Sequence, residues 1–213
     1  MVEKMNEQPA IIYASLRPGE CCDRWKFYRG WLPQRIVAVA HTDMVKFNST
    51  ARNMRNRAMT KYESGRLNWE FWNSHLDDIY DINTSAKERQ GREMNPAYFE
   101  YPKPKSPIEN NCNHQYHLYA VWDETGKWVA YAIIHRMGEI ANTSTIIGHA
   151  DRLKDGIMYL LMDTIINTIP QDTHWLIYGE WDSGTKGLQY WKHATGFFPA
   201  HVTEKRNDRT TLS

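Results

Sequence analysis

Cysteine is scarce in this 213-residue chain, and the three present do not suit a disulfide framework: Cys21 and Cys22 are adjacent, Cys112 stands apart, and the count is odd. Reduced thiols, and with them an intracellular and cytoplasmic location, are the expectation. Long apolar runs are also missing. The N-terminal stretch MVEKMNEQPAIIYASLRPGE holds only a short one, and no later stretch approaches the roughly 18 apolar residues of a membrane span, so no membrane partner is expected. Nor is there an excess of one charge. Twenty-six Lys plus Arg face 25 Asp plus Glu, a net charge of +1, which provides no global field for nucleic acid and confines any such contact to a local patch.

Aromatic residues are plentiful. Nine Trp and twelve Tyr within 41% hydrophobic residues suffice to close a core and exclude disorder throughout. The length fits one α/β domain, or a domain of about 150 residues with an N-terminal extension.

Residues 10–16 and 35–40 read as short strands, separated by a segment rich in Trp25, Phe27, Tyr28 and Trp31, and the second strand reads as running on toward 44–47. The stretch NSTARNMRNRAMTK at 48–61 suits a helix with Ser49 or Thr50 as N-cap. It carries Arg52, Arg55, Arg57 and Lys61, which are either a grip for nucleic-acid phosphates or a solvated face. Over 67–82 the three-four spacing of Trp69, Trp72, Leu76, Ile79 and Tyr80 predicts one helix with an aromatic side. Four prolines between 96 and 107 then exclude regular structure, and 103–111 reads as a surface loop.

The second half has a firmer order. Strands at 117–122 and 127–136 flank a turn at 123–126, and a third strand covers 140–147. A helix follows the 148–156 loop, lined by Ile157, Leu161, Ile165 and Ile169 and ended by Pro170. A strand at 174–181, a helix at 185–195 closed by Gly196, and a strand at 197–203 complete it. Pattern alone gives an α+β class. The divisions are 1–66, strands and basic helix belonging to or extending the main domain; 67–203, the core; and 204–213, a polar tail.

This order over 67–203 resembles the GNAT acyltransferase fold, and the resemblance implies an α/β (α+β) domain with a central mixed, mostly antiparallel sheet flanked by helices. The segments YLLMDTIINTI at 159–169 and WLIYGEWDSGTKGLQYWKHATGFFP at 175–199 resemble the end of the FemAB-like, aminoacyl-transferring branch, and FNSTARNMRNRAMTKYESG at 47–65 resembles its early Arg-rich helix. The resemblance implies transfer of an acyl or aminoacyl group to an amine acceptor, with acetyl-CoA, another acyl-CoA or aminoacyl-tRNA as donor. Two departures bear on that. The loop GHADRLKDG lacks the Gly-x-Gly that holds the CoA pyrophosphate in GNAT enzymes, and Lys192 stands where those enzymes place the Tyr that protonates the leaving thiolate.

Candidate roles follow from the chemistry. His149 and Asp151, two apart on what reads as extended backbone, form a candidate base and orienting carboxylate, with Tyr190 as the substitute acid. Gly148, Lys154, Asp155 and Gly156 form one candidate donor-binding segment, Asp155 being equally an N-cap, and Ser183, Gly184, Thr185 and Lys192 form the other. Arg89 and Arg92 around Gly91, with Glu180 and Trp191, are candidate substrate contacts. Cys112, His114 and His117 match no closed zinc spacing, so no metal is expected. The alternatives to a simple acyltransferase are a nucleic-acid-directed transferase, for instance one acting on a modified base in phage DNA or dependent on tRNA, and a binding module that keeps the fold without catalysis.

Overall fold

A computed structural model of the chain describes residues 11–13, 34–106 and 114–204. Cys21, Cys22, Cys112, Trp25, Phe27, Tyr28, Trp31 and the tail from 205 onward lie outside the described residues.

Strand β1 is Ile11–Tyr13 and β2 is Gln34–His41. The second does not run on to Phe47. The backbone N–H of Thr42 donates to the His174 carbonyl at 3.1 Å and its hydroxyl to the Thr173 carbonyl, which turns the chain into a single 3-10 turn at Thr42–Met44. Helix α1, Ser49–Met59, is capped by Asn48, one residue before the expected Ser49 or Thr50: its side chain accepts from the Ala51 N–H at 2.9 Å. The residues α1 buries are small, Ala51 and Ala58, so its backbone approaches its neighbours closely.

A strand that the periodicity does not announce, β3 at Tyr62–Leu67, comes next. The helix expected over 67–82 is two helices, α2 at Trp69–Asn73 and α3 at Leu76–Thr84. The break falls at Ser74 and His75, where the Ser74 hydroxyl donates to the Phe71 carbonyl and competes with the helical ladder. The buried Trp72, Leu76 and Ile79 still lie on one side, which is why the spacing reads as continuous.

Residues 88–93, ERQGRE, form a two-residue hairpin, β4 at Glu88–Arg89 and β5 at Arg92–Glu93. Gln90 (φ 56°) and Gly91 (φ 77°) both take the left-handed conformation that such a tight turn requires. The remaining elements match the expected order: β6 at His114–Asp123, β7 at Trp128–Met137, β8 at Ile140–Gly148, α4 at Ile157–Thr168, β9 at Trp175–Glu180, α5 at Lys186–Ala194 and β10 at Phe198–Glu204.

Eight strands make one sheet in the order β1-β10-β2-β9-β8-β7-β6-β3, antiparallel except for β1 with β10 and β8 with β9. Strands β2 and β3 from the N-terminal part thus pair within the same sheet as β6 to β10. Two cores lie on its two faces, as alternation along β6 requires. Tyr119 and Val121 pack with Ala51 of α1, Leu161 of α4 and Ala194 of α5, whereas Leu118 and Ala120 pack with Trp72 of α2 and Ile79 of α3. Among the described residues no helix is long and apolar enough to cross a membrane, and no three His, Cys, Asp or Glu gather as a metal-binding group.

Candidate functional site

The parallel pair in mid-sheet, β8 with β9, positions the site. Its register covers only Ile140 to Asn142 against Trp175 to Ile177, after which the strands part. On the other edge of β8, Ile133 faces Thr145 and Ile134 faces Thr143, so Ser144 is an extra, bulged residue without a partner in the β7 ladder. A bulge bends its strand and leaves backbone groups unpaired. Mid-sheet backbone is therefore accessible here, next to the side chains of Thr143 and Thr145.

Two adjoining cavities occupy the opening. The larger, about 680 Å³, is lined by residues 143–147 of β8, Arg89, Gln90, Arg92 and Glu93 of the hairpin, residues 94–96 with Tyr98, and Tyr178, Gly179 and Ser183. The smaller, about 350 Å³, is more apolar and lies between the end of β8, Leu153, Met158 of α4 and Leu188 and Trp191 of α5. Arg89, Gln90, Ile146, Ile147, Tyr178 and Leu188 line both, so the two cavities adjoin along these side chains, and the pair is termed the channel.

Tyr178 stands where the cavities meet. Its ring packs on Trp191 at 5.2 Å and Phe197 at 5.9 Å, and its hydroxyl receives a long hydrogen bond, 3.5 Å, from Gln90 Nε2 across the opening. Burial raises its pKa, opposed in part by Gln90 and by the Arg92 charge, so the group is a neutral phenol at neutral pH.

The expected phosphate loop is built otherwise. Residues Ala150–Asp155 form a 3-10 turn, not extended backbone, so His149 and Asp151 do not pair as base and orienting carboxylate. The His149 ring caps that turn, accepting from the Asp151 N–H at 3.3 Å, and its nearest carboxylate is Asp81 at 3.8 Å. Neither His149 nor Asp151 lines a cavity. Asp155 is buried and lines neither cavity: it accepts from the Tyr62 hydroxyl at 2.9 Å and from Lys61 at 3.2 Å, with Arg57 at 3.7 Å. The Tyr62 hydrogen bond, followed by Lys61 and Arg57, holds its carboxyl below the usual range. Asp155 does not cap α4; the preceding position is Gly156, at φ 90°, where an added Cβ would lie 2.3 Å from the Met54 carbonyl oxygen. The start of α4 is thus pressed against α1 and bordered by a carboxylate. Gly148 lines the smaller cavity, and Lys154 remains exposed.

Behind the opposite wall, Lys192 is fully buried and lies on neither lining. Its ammonium donates to the carbonyls of Glu180, Trp181 and Ser183 and to the Ser183 hydroxyl, and lies 5.7 Å from the Tyr178 ring centre. Burial lowers its pKa. It holds the β9–α5 turn in which Ser183 faces the larger cavity, Gly184 takes φ 88°, and Thr185 caps α5 by accepting from the Leu188 N–H. Trp191 is core as well as cavity wall. Tyr190 is half exposed and lines neither cavity; hydrogen bonds to Thr50 and Asn48 at the start of α1 lower its pKa. The side chain of Glu180 lies outside both linings.

Arg89 and Arg92 both reach the larger cavity. Arg89 donates to the carbonyls of Gly148 at 2.6 Å and Ile82 at 2.8 Å and to the Ser85 hydroxyl at 2.8 Å, so it fastens the hairpin to β8 and α3. The basic helix is internally engaged: Arg52 donates to the Phe47 carbonyl, Arg55 pairs with Asp163 at 2.9 Å, and Arg57 and Lys61 face Asp155. That pairing removes much of its capacity for phosphate.

Sequence reasoning missed Tyr178, Ser144 and Gln90. The signal for Ser144 was present: Asn142-Thr143-Ser144-Thr145 is a polar run inside a strand whose neighbours are apolar, unusual at the centre of a sheet. Tyr178 is hidden within the apolar run WLIY.

No protein-family model matches the sequence, and no curated protein matches it. Among solved structures, FemX superposes with a TM-score of 0.55 at 11% identity, covering 78% of this chain and 59% of that one. L-PGS from Bacillus licheniformis gives 0.53 at 14% identity over 79% and 58%, and a C-terminal DUF2156 domain from Agrobacterium fabrum gives 0.52 at 12% over 78% and 58%. The chain spans under three fifths of the length of each of these proteins. At such identities the likeness is one of architecture: the chain shares the mixed, mostly antiparallel sheet fold of FemX, L-PGS and the DUF2156 domain.

Proposed function

We propose that the chain is an acyltransferase that moves an aminoacyl or acyl group from an ester donor to an amine within the β8–β9 opening. The observation that carries this reading is the Ser144 bulge beside a channel whose two cavities meet at one buried phenol. In the transfer a carbon–nitrogen bond forms, the bond from the acyl carbon to the leaving ester oxygen breaks, that oxygen gains a proton and the nitrogen loses one. Backbone N–H at the Ser144 bulge supplies the donor for the developing oxyanion. Tyr178, protonated at neutral pH, gives its proton to the leaving group. Glu93, the carboxylate on the larger cavity's lining, takes the proton from the amine. The more polar, larger cavity holds the acceptor, and the apolar one the donor's acyl end.

The start of α4 favours an aminoacyl ester, such as charged tRNA, over CoA. Buried Asp155 and the Met54 carbonyl occupy the place where a pyrophosphate would need backbone N–H groups and space. Donor phosphates would instead meet Lys87, Lys154 and Lys186, exposed and each next in sequence to a residue lining the smaller cavity. The test is transfer of a labelled amino acid from charged tRNA, and of acetyl from acetyl-CoA in parallel, to a panel of amines. Label in an amide product from the charged tRNA supports the proposal; transfer from acetyl-CoA alone overturns the donor assignment; no transfer from either turns the reading to a binding module.

A further inference from the structure

The ERQGRE hairpin is built against ordinary cross-strand preference. Arg89 lies directly opposite Arg92, and Glu88 directly opposite Glu93. Like charges placed opposite each other destabilise a ladder, and this one has only two pairs. Because neighbours along a strand point to opposite faces, the hairpin segregates two cations on one face and two anions on the other.

The two arginines are unlike in their surroundings. Arg89 is fixed by the carbonyls of Gly148 and Ile82 and by Ser85, and its Nε is buried without a partner. Arg92 is exposed, makes no ion pair among the described residues, lines the larger cavity and acts electrostatically on the Tyr178 hydroxyl. Glu93 reaches the same cavity from the other hairpin face, so it does not stand between the guanidinium groups. A fixed cation and a free one, side by side on a tight turn at a cavity wall, form an arrangement that an anion completes.

We infer that Arg92, beside the fixed Arg89, forms an anion subsite in the larger cavity, and that the acceptor is a small amine carrying a carboxylate or phosphate close to its nitrogen. This rests on the reading of that cavity as the acceptor site. Arg92 takes the anionic group, while the amine points past Glu93 toward the Ser144 bulge.

The experiment is calorimetric titration of the full chain with two matched pairs, glycine against glycinamide and O-phosphoethanolamine against ethanolamine. No donor is present, so the outcome does not depend on catalysis. The expected result is that at least one anionic member binds ten-fold or more tightly than its neutral partner; the pair showing it distinguishes carboxylate from phosphate. Arg92→Ala removes the preference, Arg92→Lys keeps part of it, and both keep the wild-type melting midpoint, since the side chain is exposed and unpaired. Equal binding of anionic and neutral members, or a preference that survives in Arg92→Ala, overturns the inference. Failure of the transferase reading is seen separately, as an intact anion preference in a protein that transfers nothing from either donor.

Discussion

Lys192 and Ser183 are joined twice: the buried ammonium donates to the Ser183 carbonyl at 3.2 Å and to its hydroxyl at 3.4 Å. With the carbonyls of Glu180 and Trp181 also in reach, a single charge organises the whole turn between β9 and α5. Lys192→Met removes that charge and leaves the carbonyls unpaired, a loss of about 2–4 kcal/mol. The measurement is urea denaturation. Because Lys192 is structural, the stability loss should appear without any ligand, whereas a phosphate ligand would lose donor affinity at unchanged stability.

Tyr178 is assigned the proton transfer to the leaving group. Tyr178→Phe keeps the ring packed on Trp191 and Phe197 but lacks the hydroxyl. Steady-state kinetics should show kcat reduced by roughly 10²–10⁴ with KM for the amine nearly unchanged. Tyr190→Phe, outside both cavities, should leave kcat within about three-fold; the reverse ranking would restore Tyr190 as the acid.

Gly156, the N-cap of α4, lies close against the backbone of α1. Gly156→Ala must place a methyl group 2.3 Å from the Met54 carbonyl oxygen at φ 90°, so the helices must separate. A destabilisation of at least ~2 kcal/mol follows. Thermal unfolding should show the midpoint lowered by about 4 °C or more.

His117, 2% exposed, has neither ring nitrogen hydrogen-bonded, and burial, reinforced by Arg66 and Arg136, lowers its pKa to about 4. The unfolded chain takes up this proton near pH 6.5 and the folded one only near pH 4, so between those values the unfolded state binds more protons. Stability is fully present above pH 6.5 and declines as pH falls toward 4, by roughly 3 kcal/mol at most. Denaturation midpoints across that window should fall in the wild type and flatten in His117→Leu.

The second half of the fold is legible because apolar spacing alone specifies β6 to β10 and α4, and because Pro170 and Gly196 mark helix ends. Strand β3 is not: Glu63, Ser64, Gly65 and Arg66 carry no apolar alternation, and the pairing with β6 that makes them a strand is a tertiary effect. The site was legible only as a region. The segments 148–156 and 183–192 read from sequence as flanking a donor, and Gly148, Ala150, Leu153, Ser183, Thr185, Leu188 and Trp191 from them do line the cavities, whereas Asp155 and Lys192 are buried behind them. Sequence carries the charge of a residue but not its partner, and the partners, Tyr62 for Asp155 and the β9–α5 carbonyls for Lys192, are supplied by the fold. Tyr178 was hidden for the converse reason, its ring being core while its hydroxyl faces the channel.

Occupation of the channel between β8 and β9 by the donor is measured by calorimetric titration of the wild type and of Ile146→Trp, which adds bulk at a wall common to both cavities, with a non-hydrolysable aminoacyl-adenosine amide and with acetyl-CoA. The expected result is saturable binding of the adenosine amide to the wild type, at least ten-fold weaker binding to Ile146→Trp at a preserved melting midpoint, and no comparable binding of acetyl-CoA. Equal affinity of both proteins for the amide, or tight acetyl-CoA binding unaffected by the substitution, would contradict it.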